Sequence, residues 1–329
     1  MNEVSALIPN WNGERFLSRI LDNLRGQTHA PDEIIVIDNG STDSSRQAAQ
    51  RLGAQFVALP ANAGFTGAVN RGLELCRTPL VAILNNDVEL DREWLDRLVD
   101  GLSGPGGGKF YFASGKIYQA RQPELLDGTF DAVSRGACAW RCGQGRPDGE
   151  LWSRPAPIFF APMTAALYRR EIFDMVGALD ERFESYLEDM DFGLRCAMAG
   201  VGGVYVPRAL AWHWGSGTLG MWHPETVRKI ARNQIYLVAK HYPRKWFREL
   251  GWPVLVGQLL WGLLALRHAR GCSYLMGKWE GLLGFRSMRG GEVMDTPVRR
   301  LLTESEESIR NLQSRSGFDW YWKLYFALT

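Results

Sequence analysis

The chain has few cysteines, no dominant charge and no long apolar run, and each shortage excludes something. The five cysteines in 329 residues (Cys76, Cys138, Cys142, Cys196 and Cys272) are odd in number and scattered. They do not form a disulfide framework, and Cys138 and Cys142 lack the second pair that would complete a metal clip. The pattern is that of reduced thiols in a cytoplasm. A net charge of only +2 gives no reason to expect a nucleic-acid partner. The opening MNEVSALIPN has no basic segment leading into a long apolar stretch, so it reads as a first strand rather than a signal peptide. The most apolar segment, WPVLVGQLLWGLLAL at 252–266, is shorter than the ~20 residues needed to cross a bilayer. No G-x-G-x-x-G follows the first strand, which argues against a nicotinamide dehydrogenase.

What is present is a globular chain, 46% hydrophobic and 22% charged, long enough for one large domain or two. Its first third alternates short apolar runs with helical periodicity. Strands are expected at 4–8 (VSALI), 33–38 (EIIVID), 54–60 (AQFVALP) and 79–87 (PLVAILNND). Helices are expected at 13–27, 41–53, 64–76 and 92–102, the first capped by Asn12 and the second opened by Ser or Thr. Strand–helix alternation with nearly continuous apolar strands predicts a parallel sheet covered on both faces. GPGGGK at 104–109 reads as a flexible break, and 110–160 shows too little periodicity to place elements. Beyond it, 158–170 reads as a strand leading into a helix at 171–177. A further helix runs to its stop at Gly200, followed by two short strands, GGVYVP and ALAWHW. From about Pro224 the chain turns helical and basic.

Ligands of open α/β sheets bind beyond the carboxyl ends of the strands, and four polar groups fall there: PNWNG (9–13), DNGSTD (38–43), NAGFTGAVNRG (62–72) and NNDVE (85–89). Any one of them reads equally well as turn chemistry; four in succession at one sheet edge do not. Asp38 can accept from a base or ribose donor. Gly64 and Gly67 would let backbone amides approach phosphate at a helix start. Asp87 is a hard oxygen ligand suited to a divalent cation between phosphates.

PNWNGERFL, VIDNGSTD, NAGFTGAVNRG, LNNDVEL, RREIFDMVGALDERFESYLEDMDFGLR and AWHWGS, in that order, resemble the successive motifs of family 2 inverting glycosyltransferases, nearest to the bacterial rhamnosyltransferase-like branch. The resemblance covers roughly residues 3–220. It implies a GT-A fold, an α/β nucleotide-sugar-binding domain, here at 1–222, with a mainly helical extension at 223–329. It implies a nucleotide-sugar donor held by Pro9, Asn10, Trp11, Asn12, Asp38, Asn39, Gly64, Phe65, Gly67, Asn70, Asn85 and Asn86. It implies Mg2+ or Mn2+ on Asp87, with His213 as second protein ligand. The first acid of the family's metal motif is replaced by Asn85, so the donor's phosphates would supply most other oxygens. The favoured donor is dTDP-L-rhamnose, then a UDP-sugar. The acceptor is a cell-surface glycan or its lipid-linked precursor. A sugar-nucleotide pyrophosphorylase would need a Gly-rich, basic loop where PNWNGERF stands. A non-catalytic nucleotide-sugar-binding homologue is the other alternative, and turnover of any nucleotide sugar would remove it.

Glu188, Asp189 and Asp191, in YLEDMDFGLR, are the candidate catalytic carboxylates. On a helix, residues two apart point about 200° from one another, so Asp189 and Asp191 cannot face one site. Asp191 stands four residues before Arg195, an ion-pair spacing. Asp189 has no such partner, and the resemblance puts the catalytic base there. Glu188 is left to cap the helix or hold the acceptor. A carboxylate in a first helical turn is expected to be a weak base, because the helix dipole favours its ionised form.

Residues 228–289 hold twelve Lys or Arg against two acids, a net of +10, so with +2 overall the rest of the chain carries −8. With Trp246, Trp252, Trp261 and Trp279, this segment is expected to dock on an anionic membrane surface without crossing it. The enzyme would then be cytoplasmic and peripheral at the inner face of the membrane. The alternative is a helical subdomain packing on the catalytic domain or on a second copy of itself.

Overall fold

The computed structural model describes residues 2–103, 110–215, 222–289 and 295–329. The expected break at 104–109, and Ser216 of AWHWGS, lie outside them. Strands β1 (Val4–Asn10), β2 (Glu33–Asp38), β3 (Gln55–Ala58) and β4 (Leu80–Leu84) are separated by helices α1 (Glu14–Arg25), α2 (Ser45–Arg51) and α3 (Gly64–Leu75). These four strands are parallel, in the order β4-β1-β2-β3. Their unbroken apolar runs follow from burial on both faces. Ala6 and Ile8 pack with Leu17, Ile20 and Leu24 of α1 on one side, while Leu7 packs with Ala68 and Val69 of α3 on the other.

The sheet as a whole is mixed rather than parallel. After β5 (Val88–Leu90) and α4 (Trp94–Ser103), the segment left unplaced by periodicity forms β6 (Phe112–Gln119), β7 (Gln122–Gly128), the hairpin β8 (Asp131–Val133) and β9 (Ala139–Arg141), and β10 (Ala156–Ile158). Where one strand was expected at 158–170, the end of β10 is followed by a separate strand, β11 (Ala165–Arg169). β11 pairs antiparallel with both β4 and β6. The two strands expected between 202 and 214 are one, β12 (Gly203–His213). It runs parallel to β6, with a register shift between Val206 and Leu210 that absorbs the Pro207 interruption. β12 also pairs antiparallel with β5, setting His213 opposite Val88.

α2 opens on serine as expected, with Ser44 at the cap and Ser45 first in the helix, but the start of α1 differs from expectation. Asn12 does not cap α1. It is in the left-handed region (φ 49), Gly13 takes the cap position, and the Asn12 Oδ1 accepts from Thr42 N at 2.9 Å. Asn12 therefore ties the loop after β1 to the loop after β2. The start of α2 is held by Asp43, which accepts from Ser45 N and Oγ at 3.1 and 2.6 Å.

After α5 (Glu171–Val176) and α6 (Glu188–Met198), the chain continues as α7 (Pro224–His241), α8 (Gly251–Arg267), α9 (Gly271–Met288), α10 (Asp295–Ser316) and α11 (Trp320–Leu328). These helices share cores with the sheet domain. Val133, Phe160, Phe183 and Met190 pack with Leu237, Tyr242, Val254 and Leu302.

Candidate active site

The carboxyl ends of β1, β2 and β4 bring Asn10, Asp38 and Asn86 together. Asp38 Oδ1 accepts from Asn10 Nδ2 at 2.9 Å and from Ser41 Oγ at 2.5 Å, and its Oδ2 accepts from Ser41 N at 2.9 Å. Asn86 Nδ2 in turn donates to Asn10 Oδ1 at 2.8 Å. A carboxylate has about four acceptor positions, so Asp38 is fixed in direction and keeps capacity for a ligand donor. Pro9 and Trp11 flank Asn10 and are partly exposed. Asn39 links β2 to α3, donating to Gly64 O at 3.1 Å and accepting from Ala63 N at 3.2 Å.

The start of α3 is not an open phosphate cradle. Gly64 N donates to Asn62 Oδ1, Phe65 N to Ser185 Oγ and Thr66 N to Glu184 O, all at 2.9–3.2 Å. Gly64 is required by its φ of +74 and by the Glu184 loop, since a Cβ would stand 2.6 Å from Glu184 O. Gly67 is close-packed too: a Cβ there would stand 2.7 Å from the Ala63 Cβ. Asn70, expected to hold the donor, exchanges hydrogen bonds with the backbone of Leu179 (2.9 Å each) and donates to Glu181. These residues serve the loop that leads into α6.

That loop is strained. Glu184, Tyr186 and Leu187 all have φ between 60 and 71, a region costly for residues other than glycine. α7 holds them there: the fully buried Asn233 donates to the carbonyls of Phe183, Ser185 and Tyr186 at 2.7–3.0 Å, and Arg232 to Glu184 Oε1 and Phe183 O. The strained turn aims the first residues of α6. Glu188 does not cap the helix, whose cap residue is Leu187 with no side-chain cap bond. Glu188 is buried with Oε2 unpartnered; burial, then the neighbouring Asp189, pushes its carboxyl well above the usual range.

Asp191 faces away from Asp189, as helix spacing requires. It is fully buried and held by Arg195 (3.1 Å), His241 (2.7 Å) and Lys240 (2.8 Å). Burial alone would raise its carboxyl, but these three partners hold it well below the usual range. Asp191 thus clamps α6 to α7 and is not a base.

Asp189 heads a chain of side chains that periodicity alone did not reveal. Its carboxyl is hydrogen-bonded to that of Asp131 at the start of β8. Arg141 of β9 donates to Asp131 Oδ1 (3.3 Å), Asp127 Oδ2 (3.4 Å) and Thr164 Oγ1 (3.2 Å). The Asp127 Oδ2 meets His213 Nδ1 at 3.0 Å, and His213 Nε2 meets Asp87 Oδ1 at 3.2 Å. The chain Asp87–His213–Asp127–Arg141–Asp131–Asp189 spans the sheet edge without a gap. Burial would lower the His213 imidazolium, but the two flanking carboxylates raise it to about 9. Burial raises Asp189, more than Arg141 and the Met190 amide lower it; the expected weak base at a helix end is corrected by its surroundings.

Asp87 offers a carboxylate oxygen, and His213, oriented by Asp127 as metal-bound histidines are, would offer an imidazole nitrogen once a cation displaced the proton it directs at Asp87. Among the described residues no cluster of three or more His, Cys, Asp or Glu gathers as a metal site. The pair fits a cation that takes its remaining ligands from a diphosphate. Cys138 and Cys142 are buried free thiols.

A mixed sheet with polar residues at the carboxyl ends of its parallel strands, and a helical C-terminal region, is the architecture of GT-A glycosyltransferases. The chain belongs to glycosyl transferase family 2, whose family model matches residues 5–177, and it is a glycosyltransferase. It is 30% identical over 278 residues to an N-acetylglucosaminyl-diphospho-decaprenol L-rhamnosyltransferase of Mycobacterium tuberculosis, covering 76% of this chain and 87% of that one. It is 27% identical over 237 residues to a pre-mycofactocin glycosyltransferase of the same organism, covering 71% and 46%. Its fold is shared by GalNAc-T7 solved with UDP, GalNAc and Mn2+ (TM-score 0.63, 14% identity, covering 97% of this chain and 58% of that one). It is also shared by a mannosyltransferase from Pyrobaculum calidifontis solved with GDP-Man and Mn2+ (TM-score 0.53, 15% identity, covering 99% and 86%).

Proposed function

We propose that this chain is an inverting glycosyltransferase that moves L-rhamnose from dTDP-L-rhamnose, with a UDP-sugar as second choice, to a hydroxyl of a lipid-linked glycan precursor. The observation that carries the reading is the continuous chain from Asp87 to Asp189, which supports a phosphate-side role for Asp87 and His213 and a base role for Asp189. Asp38, braced by Asn10 and Ser41, would hold the nucleoside. The acceptor oxygen attacks the anomeric carbon as the bond to the diphosphate breaks. Asp189 takes the hydroxyl proton, a role typically worth ~10²–10⁴-fold. A Mg2+ or Mn2+ on Asp87 and His213 would neutralise charge on the leaving diphosphate. The choice of sugar and acceptor is supported by the rhamnosyltransferase relative and its decaprenol-linked acceptor.

The helical region supports work at a membrane surface. Along α8, Trp252, Leu255, Leu259, Leu263 and Leu266 are exposed at helical spacing. α9 adds Leu275, Met276, Trp279, Leu282 and Leu283. Arg244, Lys245, Arg248, Arg267 and Arg286, within or next to these helices in sequence, are exposed. Exposed apolar residues on helices that also carry exposed cations fit an interface of anionic lipid. Among the described residues no helix is long and apolar enough to cross a membrane.

The test is Asp189→Asn. With dTDP-L-rhamnose and a panel of UDP-sugars, donor affinity should stay near native while transfer falls by at least ~10²-fold. Transfer near the native rate would move the base elsewhere, and absence of turnover with every donor in the native protein would favour the non-catalytic binding alternative.

A further inference from the structure

Resting on that reading of Asp189, a second carboxyl at the site has a role of its own. Asp131 is buried, its backbone N–H is bonded to Phe160 O at 3.2 Å, and its carboxyl touches Arg141 on one side and Asp189 on the other. Two carboxyl groups in hydrogen-bond contact cannot both be ionised without strong repulsion, so a pair of this kind holds one proton between them. Position decides where it stays. Asp189 stands in the first turn of α6 and accepts from Met190 N at 2.9 Å, both of which favour its charged form.

We propose that Asp131 is a positioning residue: it retains the shared proton, donates it in a hydrogen bond to Asp189, and so keeps the base ionised and aimed at the acceptor hydroxyl. During transfer the acceptor oxygen bonds to the anomeric carbon, and the electron pair of the broken carbon–oxygen bond leaves with the diphosphate. The acceptor proton goes to Asp189. The pair then carries two protons and returns one to solvent before the next turnover. Arg141 holds Asp131 in register with the metal-side residues through Asp127.

Several charged or titratable groups face this pair. They are Arg141 from β9, Glu188 from α6, Asp127 from β7, Tyr168 from β11 and Cys142 beyond β9. Burial first, with Asp189 adding to it and Arg141 opposing it, pushes Asp131 up to about 7. The native protein therefore holds a proton that the unfolded chain has lost between the ordinary carboxylate value and about 7. The stability this lends is complete below the unfolded value and is lost as pH rises through about 7.

The experiment compares native protein with Asp131→Asn, which keeps an N–H donor toward Asp189 but cannot ionise. Thermal midpoints of both are followed from about pH 5 to about pH 8. The variant should gain on the native protein as pH rises from about 5 to about 7 and hold that gain above it. A constant difference across that range overturns the proposal, whatever the donor proves to be. The pH dependence of dTDP-L-rhamnose turnover gives a second readout. The native profile should contain an ionisation near neutral pH that Asp131→Asn lacks, with kcat within about tenfold of native, the scale of one hydrogen bond, and donor KM unchanged. A neutral-pH ionisation that survives Asp131→Asn would also overturn it. On unmodified protein with carbon-13 in its aspartate carboxyls, one protonated carboxyl should persist at about pH 6. Its absence counts against the pair even if the variant does not fold.

Discussion

Asp191→Asn separates fold from chemistry within one helical turn. The native carboxylate is completely buried among Arg195, Lys240 and His241. Removing one partner of a buried ion pair costs about 3–5 kcal/mol. Here the remaining cations are not all stranded. Arg195 still donates to the carbonyls of Val176, Gly177 and Ala178, and Lys240 still reaches Asp180. His241, also buried, has the most to lose. The expected cost is therefore at the lower end, about 3 kcal/mol, which at about 2–4 °C per kcal/mol for a large domain lowers Tm by about 6–12 °C. The effect has a defined pH course. Asp191 is held below its ordinary value of 3.8, so its stabilisation is present above that value and lost as pH falls through the folded one. The gap between native and variant should be full near neutral pH and close below about pH 4. Asp189→Asn, two residues away, removes a carboxyl whose charged form burial already disfavours and should leave Tm unchanged or raised. Thermal unfolding of the three proteins at several pH values is the assay. An Asp191→Asn midpoint within about 1 °C of native, or an equal loss in Asp189→Asn, would refute the division of labour.

Asp87→Ala should weaken donor binding as well as turnover, and activity should require a divalent cation; full activity in excess chelator would sink the cation reading of Asp87 and His213. The α8–α9 surface should bind vesicles containing anionic lipid in a salt-sensitive way, and Leu259→Glu with Leu263→Glu should abolish co-sedimentation while sparing donor binding. No sedimentation of the native protein under any condition, with a dimer in solution, would assign that face to a second copy of the chain.

The legible part of the fold was the part with continuous burial. β1 to β4 are apolar along their length because α1 and α3 cover opposite faces, and sequence periodicity registers that directly. The hairpin β8–β9 left no such trace, since its strands are three residues long and bounded by glycine and arginine. A trace of its chemistry was nevertheless available: Asp127 and Asp131 are four apart, which puts them on one face of an extended chain. The Asp191–Arg195 pair was readable from helix spacing, whereas Lys240 and His241 come from a helix about fifty residues further on. Asn70 and Gly64 likewise have partners that their local sequence does not show. Their partners, Leu179 and Glu184, are more than a hundred residues away, so residues that read as ligand-binding turn chemistry also make contacts within the chain.

The turn between β8 and β9 rests on the back of α8. Gln258 Nε2 donates to Gly136 O at 2.7 Å, and a Cβ on Gly257 would lie 3.3 Å from the Gly136 Cα. The exposed leucines of α8 point the other way. α8 thus lies between its exposed leucines and the hairpin whose first residue is Asp131. A surface bound to those leucines would reach the hairpin that carries Asp131 and Arg141 through a single helix, so what binds outside can be felt at the site without passing through the sheet.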